Sequence, residues 1–248
     1  MEQKKIVATI EARMTSSRLP GKVLMKVLGK PMLGYLIDRL KAVSSINEIV
    51  LATTVNSSDD PLVKFAESEG IFVYRGSEDD VLSRVIGAAQ SRRADIIVEI
   101  TGDCPVIDPD IIEQCIQLFK YNSALYVGNA HIRSYPDGMD VQIFALKDLV
   151  RSGSMTQNQL DREHVSLHMR NNPEIFPHLH LIAPPSQYWP ELGLTLDEKE
   201  DFELLKNIIE HFDRENNPYF SCLDIIRYIK TNPSLEEINK KIKRKGDT

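Results

Sequence analysis

Strand-length apolar runs alternate with helix-length amphipathic stretches through the first half of the chain, and few folds accept that order. Ile6–Ile10 has the character of a buried strand, and Pro31–Val43 that of a helix with Leu33, Ile37 and Leu40 on one face. Glu48–Thr53 is the next strand, and Pro61–Glu69 a helix that Gly70 ends. Ile71–Tyr74 and Asp80–Arg92 follow as strand and helix, with Val81, Val85 and Ala88 or Ala89 turned inward. Asp95–Thr101 and Pro109–Phe119 complete the series. Strands joined by helical crossovers lie parallel and bury both faces. The expected class is therefore α/β, a Rossmann-like, three-layer arrangement around a mostly parallel sheet.

The second half breaks the rhythm. Leu125–Asn129 and Met139–Leu146 are strand-like around a turn-rich segment, His131–Gly138, which predicts a small antiparallel extension. Helices are expected at Lys147–Gly153 and Leu160–Arg170, and short strands at His178–Ala183 and Leu194–Leu196. Glu198–Phe212, Ser221–Lys230 and Ser234–Lys243 close the chain as helices, with a solvated cationic tail over Lys240–Lys245. No repeat or linker interrupts residues 1–248, so one domain is expected.

Charge and cysteines narrow the partners. Lys and Arg number 30 against 36 Asp and Glu, a formal net charge of −6, so no global cationic field is available for nucleic acid. Cys104, Cys115 and Cys222 have no CxxC spacing and no adjacent His pair, which points to reduced thiols. Glu11 and Arg13 interrupt the first apolar run, so it is no signal peptide, and no run reaches the length of a membrane span. A soluble cytoplasmic protein with no membrane partner is expected.

The loop after the first strand carries the chemistry. Between Ala12 and Lys22 stand three cations (Arg13, Arg18, Lys22), three hydroxyls (Thr15, Ser16, Ser17) and Gly21. Parallel sheets bind ligands at the carboxyl ends of their strands, and a loop this rich in donors suits a polyanion such as a nucleoside triphosphate. A Walker A loop is excluded, because Ser16 and Leu24 stand where its first Gly would precede Gly21-Lys22 and Gly29-Lys30. No G-x-G-x-x-G occurs either. Asp103, in Thr101-Gly102-Asp103-Cys104-Pro105, follows another strand at the same sheet edge and is placed to hold Mg²⁺. Asp197, in Thr195-Leu196-Asp197, is either a second such carboxylate or the N-cap of the next helix, with Glu200 in the capping-box position.

Together these pieces resemble the cytidylyltransferases that activate acidic sugars. That family includes the CMP-ulosonate (KDO) and acylneuraminate synthetases, and this chain is most similar to its spore-coat polysaccharide F-like branch. The resemblance rests on Ile10-Glu11-Ala12-Arg13 with Ser17–Lys22, on Tyr74–Leu82, on Thr101–Pro105, on Tyr135–Val141, on Asp161–Val165 and on Leu194–Asp197 with Glu200-Asp201. It implies Mg²⁺-dependent transfer of a nucleoside monophosphate, CMP from CTP being favoured, onto an acidic sugar for surface polysaccharide or glycan synthesis, with release of pyrophosphate. By resemblance, Arg13, Lys22 and Asp103 are catalytic. Ala12, Arg13, Ser17, Arg18, Lys22, Arg75, Ser77, Asp79, Thr101 and Gly102 contact the nucleotide. Asp137, Gln142, Arg162, Glu163 and His164 fall where the acceptor sits, and Asp103 with Asp197 holds the metal. The domain then divides into a nucleotide-binding half (1–122), an acceptor and dimerisation half (123–215) and C-terminal helices (216–248), and a homodimer is implied.

Glu11 departs from the pattern, since relatives carry Gln or Pro there. A carboxylate beside a triphosphate is repelled, so its side chain is expected to face the base, altering nucleotide preference, or a neighbouring Lys. Three rival readings remain: a guanylyl- or other nucleotidyltransferase acting on a sugar 1-phosphate, with Arg133 or Arg162 as the phosphate cation; a metal-dependent glycosyltransferase, whose Asp-x-Asp is expected at a strand end, whereas Asp108-Pro109-Asp110 has the spacing but follows Asp103 by too far; and a non-catalytic nucleotide sensor. Lys22 is expected to be an exposed cation whose loss leaves stability unchanged. His131–Gly138 is expected to form a mobile flap over the acceptor. His178 and His180 form a solvated face or, less simply, a metal pair.

Overall fold

The computed structural model describes residues 4–242. The first half of the chain builds four of the central strands: β1 (Ile6–Glu11), then, past a two-stranded antiparallel ribbon of β2 (Lys26–Val27) and β3 (Lys30–Pro31), β4 (Glu48–Thr54), β5 (Phe72–Gly76) and β6 (Ile96–Thr101). The second half adds β7 (Tyr126–Gly128), β8 (Gln142–Ala145) and β9 (His178–His180). The large sheet runs β5-β4-β1-β6-β8-β7-β9. β1 is parallel to β4 and β6, and β4 to β5. β8 is antiparallel to β6 and β7, which forms the expected extension.

Helices α1 (Met32–Lys41), α2 (Asp60–Ser68), α3 (Val81–Ser91), α4 (Pro109–Tyr121), α5 (Leu146–Met155), α6 (Gln159–Glu163), α7 (Leu167–Asn171), α8 (Lys199–Arg214), α9 (Cys222–Thr231) and α10 (Glu236–Asn239) cover the sheet. Strand residues alternate between two cores. Ala8, Ile10, Val98, Ile100 and Ile143 face α1, α4, α8 and α9, whereas Val7, Ile97 and Phe144 face α3, α5 and α7. Three layers follow from that alternation. Among the described residues no helix is long and apolar enough to cross a membrane.

Four local expectations change. Leu194–Leu196 is no strand; Gly193 makes an isolated bridge to Asp137, and the segment beyond is extended but unpaired in the sheet. The helix expected over Leu160–Arg170 breaks at His164 (φ −108°, ψ 77°) into α6 and α7. The closing segment is a 3-10 turn, Pro233–Leu235, leading into α10, and the tail from Lys243 onward lies outside the described residues. The flap is half wrong. Residues 131–133 are exposed, but Ser134 and Tyr135 are buried, Ser134 accepts from the amides of Ala183 and Trp189, and Asp137 exchanges backbone bonds with Leu192 and Leu194.

Candidate active site

From β1 the chain passes first to β4 and β5 on one side, then to β6 on the other. The crevice between the carboxyl ends of β1 and β6 is thus the switch point at which such sheets bind ligands. The two strand ends approach closely. The Gly102 amide donates to the Glu11 carbonyl at 2.9 Å, and a Cβ on Gly102 would sit 2.8 Å from that oxygen, so only glycine fits. Here a cleft of about 570 Å³ opens.

The loop after β1 is shaped by two devices. Gly21, at φ +71°, turns the chain back so that its amide donates to the Met14 carbonyl. Asp59, fully buried, accepts from the Met14 amide and from Thr53 and Thr54, fastening the loop to the end of β4. Glu78 accepts from Arg13, Thr15 and Asn56, which fixes Arg13 over the cleft mouth.

Lys22 is the centre of the site. Its Nζ lies 3.0 Å from Asp103 Oδ2 and 2.8 Å from Asp197 Oδ1, and Arg18 Nη2 lies 2.7 Å from the same Asp197 oxygen. Burial pushes the Lys22 ammonium down, but Asp103 and Asp197 outweigh it and raise it above its ordinary value. Burial lifts the Asp103 carboxyl, but Lys22 and hydrogen bonds hold it below the usual range. Lys22 is 9 % exposed, so the expectation of an exposed loop cation is corrected: the residue is wedged between carboxylates that the fold brings in from distant segments.

Asp197 reaches this place because it caps nothing. Glu198 is the N-cap of α8, and Asp201 rather than Glu200 completes the capping box. The Leu196 amide donates to the Asp103 carbonyl at 2.8 Å, holding the two aspartates side by side. Two carboxylates with no nitrogen or sulfur donor suit a hard cation such as Mg²⁺, which completes its shell with water and phosphate oxygens. Lys22 supplies the positive charge that such an ion would bring. Among the described residues no group of three or more His, Cys, Asp or Glu side chains is arranged for a metal, and His178 and His180 belong instead to a ring cluster with His131 and Tyr126.

Of the residues singled out in the sequence, Ala12, Arg13, Ser17, Arg18, Lys22, Asp79, Thr101, Gly102, Asp103, Asp137, Gln142, Glu163, His164 and Asp197 line the cleft together. Arg75, Ser77 and Arg162 do not. The Arg75 guanidinium holds the Thr54 and Asn56 carbonyls and Asp60, the Ser77 hydroxyl accepts from the Asp80 amide, and Arg162 pairs with Asp80 and the Gly153 carbonyl. These side chains brace the walls. Cys104 is buried, and burial raises its thiol far above the ordinary value, so it is inert.

Sequence reasoning singled out Glu11 and Gln142 but missed the residues that line the cleft floor with them, Glu99, Asp140, Arg84 and Arg170. Of the two expectations for Glu11, the neighbouring lysine is corrected: its neighbours are Thr9, Glu99 and Arg84. Burial and the Glu99 charge raise its carboxyl, burial lifts Glu99 to about 7, and burial with Asp137 lifts Asp140 to about 7. A Glu inside an otherwise apolar strand, Ile96-Ile97-Val98-Glu99-Ile100, was the available signal.

Known proteins resemble this chain in sequence and fold. The chain is 34 % identical to a cytidylyltransferase structure from Leptospira borgpetersenii, with a TM-score of 0.90 over 97 % of this chain and all of that one. It is 30 % identical to the spore coat polysaccharide biosynthesis protein SpsF of Bacillus subtilis, over 92 % of this chain and 95 % of that protein. A CMP:2-keto-3-deoxy-manno-octonic acid synthetase solved with CTP shares the fold, with a TM-score of 0.61 at 20 % identity over 84 % of this chain and 99 % of that one. The sequence profile of the cytidylyltransferases matches residues 7–240, and the chain belongs to that family of nucleotidyltransferase enzymes.

Proposed function

We propose that the protein transfers CMP from CTP to a hydroxyl of an acidic sugar, with Mg²⁺ and with release of pyrophosphate, for surface polysaccharide or glycan synthesis. One observation carries this reading: the cationic loop after β1 and the two aspartates converge on a single point at the sheet's switch crevice, where Lys22 Nζ touches both carboxylates. In-line attack on the α-phosphorus needs positioning and charge stabilisation more than covalent help. Arg13, Arg18 and Lys22 would hold the phosphates and steady the departing pyrophosphate, and Asp103 and Asp197 would hold the ion. When bound, the ion would neutralise charge on the phosphoryl oxygens. Glu163, His164 and Gln142, which line the same cleft, would orient the acceptor.

The sugar 1-phosphate reading is weaker, because the Arg162 guanidinium is engaged by Asp80 and Gly153 outside the cleft. The glycosyltransferase reading loses its metal motif, since Asp108 caps α4 and accepts from the Cys222 amide. The homodimer implied by the resemblance, with residues 125–190 at the contact, remains part of the proposal and is checked by light scattering. The reaction is tested by measuring pyrophosphate release for the four nucleoside triphosphates crossed with keto-acid sugars and sugar 1-phosphates. CTP with a keto-acid sugar is the expected productive pair. Turnover confined to another nucleotide or to sugar 1-phosphates refutes the assignment.

A further inference from the structure

Three adjacent strands change character at one level. On the face toward α3 and α5, β1 runs Val7, Thr9, Glu11, β6 runs Ile97, Glu99, Thr101, and β8 places Gln142 beside Glu99, one step beyond Phe144. Below that level the face is core. Above it, the face is the cleft floor. Glu99 is 5 % exposed, and its Oε2 accepts from Gln142 Nε2 at 3.1 Å. Gln142 is itself held by Tyr126 and Ser166. Glu11 Oε1 accepts from Thr9, whereas Oε2 is buried with no hydrogen-bond partner. Neither carboxyl has an ion pair among the described residues. Arg84 and Arg170 lie close enough to act on them through space, but the Arg84 guanidinium donates to the Ser77 and Glu78 carbonyls instead, and Nε of both arginines lacks a partner.

A buried carboxyl oxygen with no donor is costly unless something completes it, and a ligand is the group that can. Glu11 leads directly into the phosphate loop, but Glu99 is bonded to Gln142, which Ser166 holds, and feels the Arg170 charge, so the Glu99 side of the floor turns toward Gln142, Ser166 and Arg170, the acceptor's end in the proposed reading. Asp137, Asp140 and Glu163 line the same cleft, and together with Glu11 and Glu99 they outnumber Arg84 and Arg170. An anionic group placed against Glu11 and Glu99 is repelled. An ammonium supplies three donors and the missing charge.

We infer that Glu11 and Glu99 form a subsite for a primary amine, so that the acceptor is an amino sugar whose amine lies on the cleft floor while its acid group turns to Arg170. This deepens the CMP-transfer reading and rests on it. The subsite adds no chemical step; it selects and positions.

The test uses the full chain with CTP and Mg²⁺ and matched keto-acid sugars that differ at one carbon, bearing a free amine, an acetamido group or a hydroxyl. The amine is expected to exceed both others about a hundredfold in kcat/KM, the effect of losing a desolvated charge partner. Glu99→Gln and Glu11→Gln are expected to reduce that preference below about tenfold. Calorimetry of the CTP-loaded protein in buffers of different ionisation heat supplies a readout free of turnover. The amine is expected to release protons near pH 7, because burial raises both carboxyls and an ammonium beside them lowers them again, and Glu99→Gln reduces the release. Having two variants guards against one misfolding, which CTP binding reveals. Equal use of amine and acetamido acceptors, a preference kept in both variants, or CTP binding without turnover of any amine acceptor overturns the inference. Absence of CTP binding removes the nucleotidyl reading, and the inference with it.

Discussion

Lys22→Met isolates the interaction at the centre of the site. Methionine keeps the length of the stem and removes the charge, leaving Asp103 and Asp197 facing each other without the ammonium 3.0 and 2.8 Å away. Breaking a buried pair by deleting one partner costs about 3–5 kcal/mol. Two features lower that figure here. The side chains of Asp103 and Asp197 are 24 % and 16 % exposed, and Arg18 stays 2.7 Å from Asp197. About 2 kcal/mol is therefore expected at pH 7, a fall in Tm of about 4–8 °C for a chain of this size.

The sign of the pH dependence makes the test specific. In the native protein Asp103 titrates below its ordinary value, so it contributes stability above the unfolded pKa and loses it as pH falls through the lower folded value. Without Lys22, burial is opposed only by the Thr101 and backbone hydrogen bonds, and the folded pKa rises. Stability at neutral pH is then reduced relative to the native chain, and the difference fades as pH falls toward about 4. Urea unfolding of both proteins at pH 7 and pH 4 measures this directly. Mg²⁺ at a hundredfold excess over its Kd would restore up to about 2.7 kcal/mol, and more to the variant than to the native chain if the aspartates take the ion. Equal stability at pH 7, or a penalty that does not change with pH, refutes the account of Lys22 as the counter-charge of two carboxylates.

Asp103→Asn keeps the shape and removes the charge; pyrophosphate release is expected to fall at least about a thousandfold, while the broken Lys22 pair lowers Tm by only a few degrees and leaves the protein folded in the assay. Gly138 sits at φ +101°, and a Cβ there would lie 2.7 Å from the Leu194 carbonyl carbon, so Gly138→Ala is expected to cost about 2–3 kcal/mol in denaturant unfolding. Arg75→Met is expected to lower Tm by a few degrees through lost bonds to the Thr54 and Asn56 carbonyls, yet leave KM for CTP within about threefold, and a larger KM change would return Arg75 to the nucleotide site.

The sheet was legible because its signal is local and strong. Each of the first strands is an apolar run, and Gly70 at φ +70° closes α2 where the sequence placed the stop. The aspartates were legible as strand-end and segment-end carboxylates beside glycine or a helix start. The errors share another cause. Arg75, Ser77 and Arg162 sit within family motifs, yet a motif carries structural residues alongside functional ones, and only three-dimensional placement shows that Arg162 faces Asp80 rather than the cleft. Lys22 was misjudged because its partners lie far along the chain, and no local pattern shows a cation that it will be buried. His164 breaks its helix although Asp161–Val165 has helical composition, since the Asn158 cap and the bond from the Leu167 amide to the His164 carbonyl turn the chain toward the cleft.

The cleft floor and the aspartate pair obey opposite logic, which explains why one was visible and the other was not. Asp103 and Asp197 follow elements, so turn chemistry marks them. Glu11 and Glu99 lie within strands, where alternation assigns a residue to a face without saying where core ends and cavity begins. That boundary is set by what packs above. α3 and α5 cover Val7, Ile97 and Phe144 but stop short of Glu99, and the break at His164 leaves α6 and α7 on the cleft wall instead of closing over it. Had the Leu160–Arg170 segment stayed one straight helix, Val165, Ser166 and Arg170 would not bend round the floor that they now line. The same broken helix that defeated the periodicity reading is thus what keeps a row of polar strand residues open to a ligand.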